Sequence, residues 1–414
     1  MTGISNRWRI FGVLALMYIL AYFYRISLAV IAKDLSAELG LSALQLGTLS
    51  GVFFYVYAVA QIPLGPLLDR FGGRLVISAF GLLSAAGGFL FALAPGYGAA
   101  IGGRVLIGAG TACVLMGSLK IFTHWFTRQE FAAVSGYMVA VGNLGNLTAT
   151  APLALAVAAV GWRTSFLVVA AVQTIVTVLV FGFVRDTPPP RHPHPTEETI
   201  HGVGMIASWR IILTDRTFWL LGILSFFWYG NYIVLQGLWG GPYLMEAVGM
   251  DRSGAGQVLL FTSLGFITGC LLLGRATERL FKSKKRTLLA GQVLLVCLMM
   301  LMLGPAETLS RPLLCSAFFI IGIGVSSGVT IYSFVREMFP VKIIATALTS
   351  LNFFVLMGAA TVQHLMGYVI EQYPKSPTGY PPEAYHTAFL IPIGGLLVAI
   401  LLFTKAREPG KGHS

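Results

Sequence analysis

Charged residues are scarce in this sequence. Only 11% of its 414 residues are charged, whereas 56% are hydrophobic and the mean hydropathy is +0.79. Ordinary soluble domains carry about 25% charged residues, so a water-soluble core of this length is excluded. The composition predicts an integral membrane protein.

Cysteines and catalytic signatures are also sparse. The four cysteines all lie inside apolar runs, without the spacing of a metal site or a disulfide framework. No Gly-x-x-x-x-Gly-Lys-Ser/Thr segment is present, which argues against a nucleotide-driven protein. The apolar runs contain no acid–base pair, metal-ligand cluster or nucleophile elbow, so we predict neither an enzyme nor a cofactor.

The sequence consists mainly of long apolar runs. They are about 20–25 residues long, which suits helices crossing a ~30 Å hydrocarbon core and is too long for barrel strands. We therefore predict an all-α membrane protein with twelve transmembrane helices. These spans, numbered one to twelve, lie at roughly 9–32, 45–68, 75–94, 98–122, 130–158, 163–184, 217–244, 254–274, 287–304, 312–335, 343–370 and 386–404.

The longest polar stretch lies between spans six and seven, at 185–216. It contains proline-rich runs at 188–190 and 192–195, which form neither a packed core nor a regular helix. We predict an N-terminal six-helix bundle at 1–184, a linker at 185–216 and a C-terminal six-helix bundle at 217–414. A weak metal site at the His-Pro run is the alternative to a plain linker.

The distribution of basic residues predicts the orientation. With a cytoplasmic N-terminus, 20 of the 28 lysines and arginines lie on the cytoplasmic side, 5 lie outside and 3 lie within spans. This bias follows the positive-inside rule and places both termini and the linker in the cytoplasm, for which a bacterial inner membrane is the expected setting. The net charge of +12 therefore needs no nucleic-acid partner. No cleavable signal peptide is predicted.

A charged island lies at 65–74, between spans two and three. Its polar and glycine positions include Gly65, Asp69, Arg70, Gly72 and Arg74. A weaker copy, about two hundred residues later, contains Gly274, Glu278 and Arg279. A motif repeated at roughly half the chain length indicates two related halves.

These features resemble the major facilitator superfamily. Besides the island, segment 104–110 resembles its fourth-span motif, 161–166 the start of its sixth span, and 336–340 the loop after its tenth span. The resemblance covers essentially the whole chain. It implies two six-helix bundles that move about a midplane site and expose it to each side in turn, commonly in a monomer. The motifs say little about the substrate.

The carboxylate of Asp69 should pair near Arg70 and Arg74 at the cytoplasmic end of span two. Such pairs can form in one conformation and separate in another, so we name the island a candidate cytoplasmic latch. The alternative is an anchor that holds positive charge inside. We expect the latch to be stronger in the first copy of the motif, which keeps the full glycine pattern.

Three cations lie inside predicted spans, whereas no Asp or Glu lies deep in one. They are Arg25 in span one and Arg104 and Lys120 in span four. A buried cation costs at least about 2.5–3.5 kcal/mol. Backbone carbonyls, polar side chains or an anionic substrate must therefore serve as partners. This asymmetry favours a small organic anion as the substrate.

Arg25 shares a helical face with Tyr18 and Tyr22. The segment 22–25 resembles the first span of the anion:cation symporter branch, in which the arginine contacts a substrate carboxylate. That branch usually has an acid before the arginine, and Tyr24 stands there in this sequence. A purely structural role is the alternative for Arg25.

Arg104 has a predicted depth similar to that of Arg25, so both arginines could reach one anion. Its motif recurs across transporters of unrelated substrates, which favours a structural role. Lys120 lies ~24 Å deeper along span four. It either lines the cytoplasmic part of the pathway or extends to the inner interface.

Polar stripes supply further candidates, and interhelical hydrogen bonding is the equal alternative for each. The span seven segment 240–242, which contains Pro242, is predicted to break the helix at an outer gate. A near-neutral histidine is a conceivable proton carrier. The candidates are Tyr232 and Gln236 in span seven, Asn352 and Gln363 in span eleven, and His364 as the proton carrier.

The sequence therefore predicts a secondary transporter that works by alternating access on a small organic anion. Its partners are that substrate, the lipid bilayer and, for symport, a proton; proton symport, anion exchange and uniport remain open. One alternative is an efflux transporter for drugs, siderophores or amino acids, which should carry a buried acid. The other is a non-transporting membrane receptor, which usually adds a soluble signalling region.

Overall fold

The computed structural model describes residues 2–188, 205–340, 343–376 and 379–408. Within these residues the chain is almost entirely helical, and an isolated bridge between Ser376 and Gly379 is the one β-type contact. The all-α prediction is confirmed. The chain divides into two compact units, Met1–Pro195 and Thr196–Ser414.

The described residues of the first unit form seven helices. A turn at Ser27 leads from the first helix directly into the second, so helix extends well beyond the predicted end of span one. Arg25 consequently lies inside a helical run that continues to Leu39. The helices are α1 (Thr2–Ile26), α2 (Leu28–Leu39), α3 (Ala43–Ala92), α4 (Tyr97–Thr111), α5 (Val114–Trp125), α6 (Arg128–Thr148) and α7 (Ala151–Phe183).

The described part of the second unit combines α-helices with π-helical and 3-10 turns. The α-helices are α8 (Met205–Thr214), α9 (Arg216–Ile233), α10 (Gly240–Pro242), α11 (Arg252–Arg275), α12 (Lys284–Met299), α13 (Arg311–Ser326), α14 (Thr330–Met338), α15 (Ile344–Glu371) and α16 (Pro382–Phe403). The π-helical segments are Val234–Trp239, Tyr243–Ala247 and Ala276–Phe281, and the 3-10 segments are Met300–Leu303, Pro305–Thr308 and Ser327–Val329.

Eleven helical segments in the described ranges are long and apolar enough to cross a membrane. One of them, Val134–Phe183, has 50 residues and covers most of predicted spans five and six. Its backbone leaves helical geometry at Gly161, where φ is 79° and ψ is 162°. Gly161 therefore separates the two spans, and the twelve-span prediction agrees with this division.

Helix α3 also contains two predicted spans, two and three. Its single non-helical residue is Gly72, whose φ of 77° lies in a region that residues with a side chain rarely adopt. A Cβ atom at this position would lie 2.6 Å from a carboxylate oxygen of Asp186. The island at 65–74 is thus mostly helical and not an open loop, because Gly72 alone makes the turn.

Span seven is continuous, so the predicted helix break at its Gly-Gly-Pro segment is wrong. Residues Gly240–Pro242 are α-helical, and π-helical turns precede and follow them. Proline lacks an N–H group and its ring clashes with the carbonyl four residues earlier. A π turn contains an extra residue, so these wider turns accommodate Pro242 while the span continues to Ala247.

Close approach between α11 and α13 depends on glycine. A Cβ atom on Gly265 would overlap the carbonyl oxygen of Phe319, and one on Gly322 would overlap that of Thr262. Small residues allow helix backbones to come this near in lipid, where van der Waals packing and interhelical hydrogen bonds drive association. These glycines therefore serve packing.

The predicted linker is only partly within the described residues. Its His-Pro run at 192–195 lies outside them, so the alternative of a metal site there has no structural account. The end of the linker forms α8, Met205–Thr214, with Ile212 buried in the second unit. A helix therefore precedes the predicted linker boundary at 216.

The Trp-Arg pair at the start of span six connects three helix ends. The Glu38 carboxylate accepts hydrogen bonds from Trp162 Nε1 and Arg163 Nε, both at 2.6 Å. Arg163 also donates to the carbonyl oxygens of Ala92 and Ala94 at 2.7 and 2.9 Å. The bonds from Arg163 and then from Trp162 hold the pKa of the Glu38 carboxyl below its usual range.

We expect Glu38→Gln to lower the melting temperature of the purified protein by about 1–2 °C near pH 7, because an exposed ion pair contributes at most about 1 kcal/mol. A carboxyl group with a lowered folded-state pKa stabilises the protein above its ordinary pKa. This contribution is lost as the pH falls through the lowered value. Unfolding scans between about pH 7 and pH 3 should therefore show the difference from the native protein disappearing in acid.

The exposed carboxylate of Glu383 offers a matched control. Glu383→Gln should show no comparable pH-dependent difference. A Glu38→Gln deficit that persists undiminished at about pH 3 would contradict an ionic contribution from Glu38.

Candidate functional site

Arg25 lies at the centre of an aromatic cluster in the first unit. Its side chain is buried at 8% exposure, and the guanidinium carbon lies 4.6 Å from the ring centroid of Tyr22 and 5.2 Å from that of Tyr57. Ring faces attract cations through their quadrupole. Two tyrosines from α1 and α3 thus hold the guanidinium in place while leaving its charge intact.

Arg104 of α4 lies at the same level and is fully buried. It donates from Nη1 to the carbonyl of Tyr24 at 2.8 Å and from Nε to that of Leu49 at 3.2 Å. Its guanidinium also lies 4.7 Å from the ring centroid of Phe53, one helical turn before Tyr57. Arg104 therefore joins the backbones of α1 and α3 next to Arg25.

Tyr18 and Tyr22 extend this cluster along α1. Their hydroxyl groups are 3.3 Å apart and their ring centroids 4.8 Å apart. Helix α6 packs directly against them, since a Cβ atom on Gly142 would lie 2.5 Å from the Tyr18 ring. Beyond this glycine, Asn146 donates to Asn143 at 3.2 Å. The predicted polar face of span one is thus partly covered by span five.

Lys120 lies away from this cluster. Its Nζ donates to the carbonyl of Leu68 at 2.8 Å, beside the charged island of α3. The structure therefore brings Arg25, Arg104, Tyr18 and Tyr22 together, and places Lys120 near the candidate latch.

The candidate latch has its described contacts within the first unit. The Asp186 carboxylate accepts from the backbone N–H of Arg74 at 2.9 Å, next to the turn at Gly72. The Arg74 side chain donates to the carbonyl of Phe181 at 2.8 Å and lies over its ring at 4.7 Å. Asp186, three residues after the end of α7, thus caps the helix that follows Gly72. Sequence reasoning missed Asp186, which no local pattern connects to the island.

The remaining latch residues contribute less to the described structure. Arg70 is exposed and lies 5.2 Å from the ring of Phe71, and Arg279 is exposed in its π-helical segment. The surroundings of four predicted members lie outside the described part: Gly65, Asp69, Gly274 and Glu278. Their latch role stays a prediction.

Two glutamines form a polar centre in the second unit. Gln236 Nε2 donates to Ser263 Oγ at 3.0 Å, and Gln363 Nε2 donates to the carbonyl of Ile233 at 3.2 Å. Both side chains are fully buried, and neither amide oxygen has a hydrogen-bond partner in the described chain. The indole of Trp239 also donates to the backbone carbonyl oxygen of Gln363 at 3.0 Å. These amides join spans seven, eight and eleven.

The other candidates of the second unit lie at different contacts. Tyr232 stacks on Phe266 with ring centroids 5.6 Å apart. Asn352 accepts from the hydroxyl of Tyr332 at 3.3 Å, and Tyr332 was not predicted as a polar partner. His364 is half-buried. Asn352 and Gln363 therefore bond to different neighbouring spans, although they share a helical face.

Sequence reasoning also missed a carboxylate cluster near the end of span seven. Glu246 accepts from the backbone N–H of Tyr380 at 2.8 Å and from the hydroxyl of Tyr385 at 2.7 Å. His386, the residue after Tyr385, pairs with a second carboxylate, that of Glu307, at 2.6 Å. The prediction used only charged residues inside the spans, and both of these acids lie at span ends.

The buried charged side chains among those described are Arg25 and Arg104 alone. The same residues contain no group of three or more His, Cys, Asp or Glu that could hold a metal ion. A buried guanidinium, ring faces and phenol hydroxyl groups are suited to bind a small anion and to orient its hydroxyl groups.

A family model and several known transporters match this sequence. The family model of the Major Facilitator Superfamily matches residues 14–331 and 239–414. The chain is 30% identical over 308 residues to a probable sulfoacetate transporter of Cupriavidus necator, covering 71% of this chain and 70% of that protein. It is 28% identical over 301 residues to a probable L-galactonate transporter of Escherichia coli K12, covering 66% and 63%. A D-galactonate transporter of Escherichia coli O6:H1 is 24% identical over 421 residues, with 93% of each chain covered.

Solved structures agree on the fold. A bacterial homologue of the human lysosomal transporter Spinster, inward-facing and unoccupied, matches with a TM-score of 0.80 at 18% identity over 97% of both chains. A D-xylose-proton symporter matches with a TM-score of 0.76 at 15% identity, over 99% of this chain and 100% of that one. At these identities the likeness concerns the fold alone, and it confirms the predicted fold class.

Arg104 should behave as a structural cation. Arg104→Lys cannot reach both carbonyls with one planar group, so we expect a loss of about 1–3 kcal/mol. Thermal unfolding of the purified protein should show a clearly lowered melting temperature. Arg9→Lys, at an exposed position of α1, is the control and should unfold as the native protein does. A fully stable Arg104→Lys protein that has lost ligand binding would instead make Arg104 a ligand.

Proposed function

Because the chain belongs to the major facilitator superfamily, we propose that this membrane transporter carries small organic anions by alternating access. The observation that supports this most is the buried Arg25 guanidinium between two tyrosine rings. The relatives point the same way, because sulfoacetate and galactonate are organic acids. We propose a sugar acid or a small sulfonate as the substrate class.

The proposed roles follow the chemistry of each side chain. Arg25 binds the acid group, and the hydroxyl groups of Tyr18 and Tyr22 bind the adjoining oxygen atoms. Arg104 holds α1 and α3 in position and adds positive potential. Lys120 acts near the candidate latch. In the second unit, we propose that substrate hydroxyl groups bind Gln236, Gln363, Tyr232 and Asn352.

The placement in the membrane is proposed as well. Both termini lie in the cytoplasm. The linker at 185–216, which connects six-helix bundles at 1–184 and 217–414, lies there as well. A bacterial inner membrane is the proposed location, and the protein works as a monomer. The support is the distribution of lysine and arginine in the sequence.

Arg25→Ala and Arg25→Lys should both abolish uptake of radiolabelled D-galactonate and sulfoacetate in proteoliposomes. A lysine cannot donate two parallel hydrogen bonds to a carboxylate or stack on tyrosine as a guanidinium does. Elution and melting temperature of both variants should stay close to native, and Arg9→Ala should transport normally. Normal uptake by Arg25→Ala would rule out its proposed role. Ligand binding without any flux by the native protein would indicate a receptor.

We further propose that coupling occurs by anion exchange. No described carboxylate is buried, and arginine keeps its proton. The bound anion then neutralises the buried cations in both steps of the cycle, when the carrier opens to the inside and when it opens to the outside. His364 is the remaining candidate for a proton carrier.

Vesicles preloaded with unlabelled substrate should take up labelled substrate at least about tenfold faster than empty vesicles. In empty vesicles the carrier must change conformation without a bound anion. Its buried cations are then uncompensated, which makes this step slow. A protonophore should leave this exchange unchanged. Uptake into empty vesicles that requires a proton gradient, and that His364→Gln uncouples, would replace exchange by proton symport.

A further inference from the structure

A small cavity lies in the second unit where α9 begins and the chain leaves α16. Its volume is ≈ 260 Å³, just below the ~300–1,000 Å³ of pockets for drug-sized ligands. A compact group therefore fits better than a whole organic substrate. The lining residues are Asp215, Arg216, Thr217, Leu220, Lys405 and Arg407.

The cavity carries net positive charge. Arg216, Lys405 and Arg407 are exposed cations, and their side chains form no ion pair or hydrogen bond with the described residues. The one acid, Asp215, is engaged as the N-cap of α9, where it accepts from the backbone N–H of Phe218 at 2.9 Å. Three cations that converge on one cavity without a pairing carboxylate attract an anion.

The chain after α16 is held in position before any ligand binds. Lys285 Nζ donates to the carbonyls of Thr404 and Ala406, each at 2.6 Å. Ala406 is buried at 4% exposure. Lys405 and Arg407, on either side of it, therefore face away from the core. The backbone that carries these two cations is therefore held in place, which lowers the entropic cost of binding.

The position of α8 places the cavity near a lipid surface. This helix ends one residue before Arg216, and its Trp209, Ile211 and Leu213 side chains are exposed. The indole of Trp219 donates to the carbonyl of Leu213 at 2.8 Å, which fixes α8 against α9. Exposed tryptophan and aliphatic side chains on a short helix beside cations are typical of the membrane interface.

We propose that this cavity binds a phosphate group, and that an anionic lipid headgroup supplies it. Guanidinium groups from Arg216 and Arg407 donate to the phosphate oxygens, and Lys405 adds a third charge. Basic pockets at the cytoplasmic ends of transmembrane helices bind anionic headgroups in this way. This site is separate from the aromatic cluster at Arg25 and does not depend on the transported substrate.

The test uses the purified full-length protein in zwitterionic detergent. Phosphatidylglycerol, phosphatidylcholine and inorganic phosphate are titrated separately, and the melting temperature is recorded. Phosphatidylglycerol should raise it with a saturable midpoint. In the double variant Arg216→Gln/Arg407→Gln this midpoint should move to roughly tenfold to thirtyfold higher lipid concentration, since each lost cation weakens binding severalfold. Arg216→Lys/Arg407→Lys should keep it within about threefold.

The control removes the same charge outside the cavity. Arg210→Gln/Arg286→Gln, at two exposed positions, should respond to phosphatidylglycerol as the native protein does. Should the cavity double variant fail to elute as a single species, Arg407→Gln alone carries the test, with a midpoint raised about threefold to fivefold.

The three titrations separate the outcomes. An equal midpoint in the cavity variant and the control variant overturns the proposal, as does an equal response to phosphatidylcholine and phosphatidylglycerol. A shift by inorganic phosphate alone that equals the lipid shift, and that the cavity variant loses, supports the phosphate site and assigns it to free phosphate.

Discussion

The interaction on which the first unit depends is the pair of hydrogen bonds from Arg104 to backbone carbonyls. A fully buried cation persists in a membrane only where its N–H groups meet acceptors. The carbonyls of Tyr24 and Leu49 accept from its Nη1 and Nε and fix α1 and α3 at one level. That register places Tyr57 of α3 beneath Arg25 of α1. A carbonyl carries no net charge, so the positive potential is retained where an anion is expected.

Carboxylates in the first unit stabilise helix ends instead. Glu38, at the end of α2, binds Trp162 and Arg163, and Asp186, after α7, binds the turn that follows Gly72. Water is near at these positions, so a charge there costs less than one at the centre of a span. In the first unit these two acids thus lie at helix ends, whereas the buried cations Arg25 and Arg104 lie inside.

Much of this arrangement could be predicted from the sequence, and the reasons for the exceptions are physical. Hydropathy predicts the spans because lipid leaves the backbone few alternatives to helix, and Arg25 stands out because charges in spans are rare. Asp186 is 112 residues from its partner Arg74, so no local spacing connects them. The π turns around Gly240–Pro242 have the same apolar composition as α-helix, and hydropathy cannot tell the two apart.

The two units satisfy buried polar groups with different chemistry, and this bears on selectivity. In the described part of the second unit the buried polar side chains are neutral, including the amides of Asn231, Gln236 and Gln363. An amide donates and accepts hydrogen bonds but provides no net charge. On the proposed function, preference for an acid therefore originates at Arg25, while the amides distinguish one hydroxylated acid from another. Substitution at the amides should then change which acid is carried, because the charge requirement remains in the first unit.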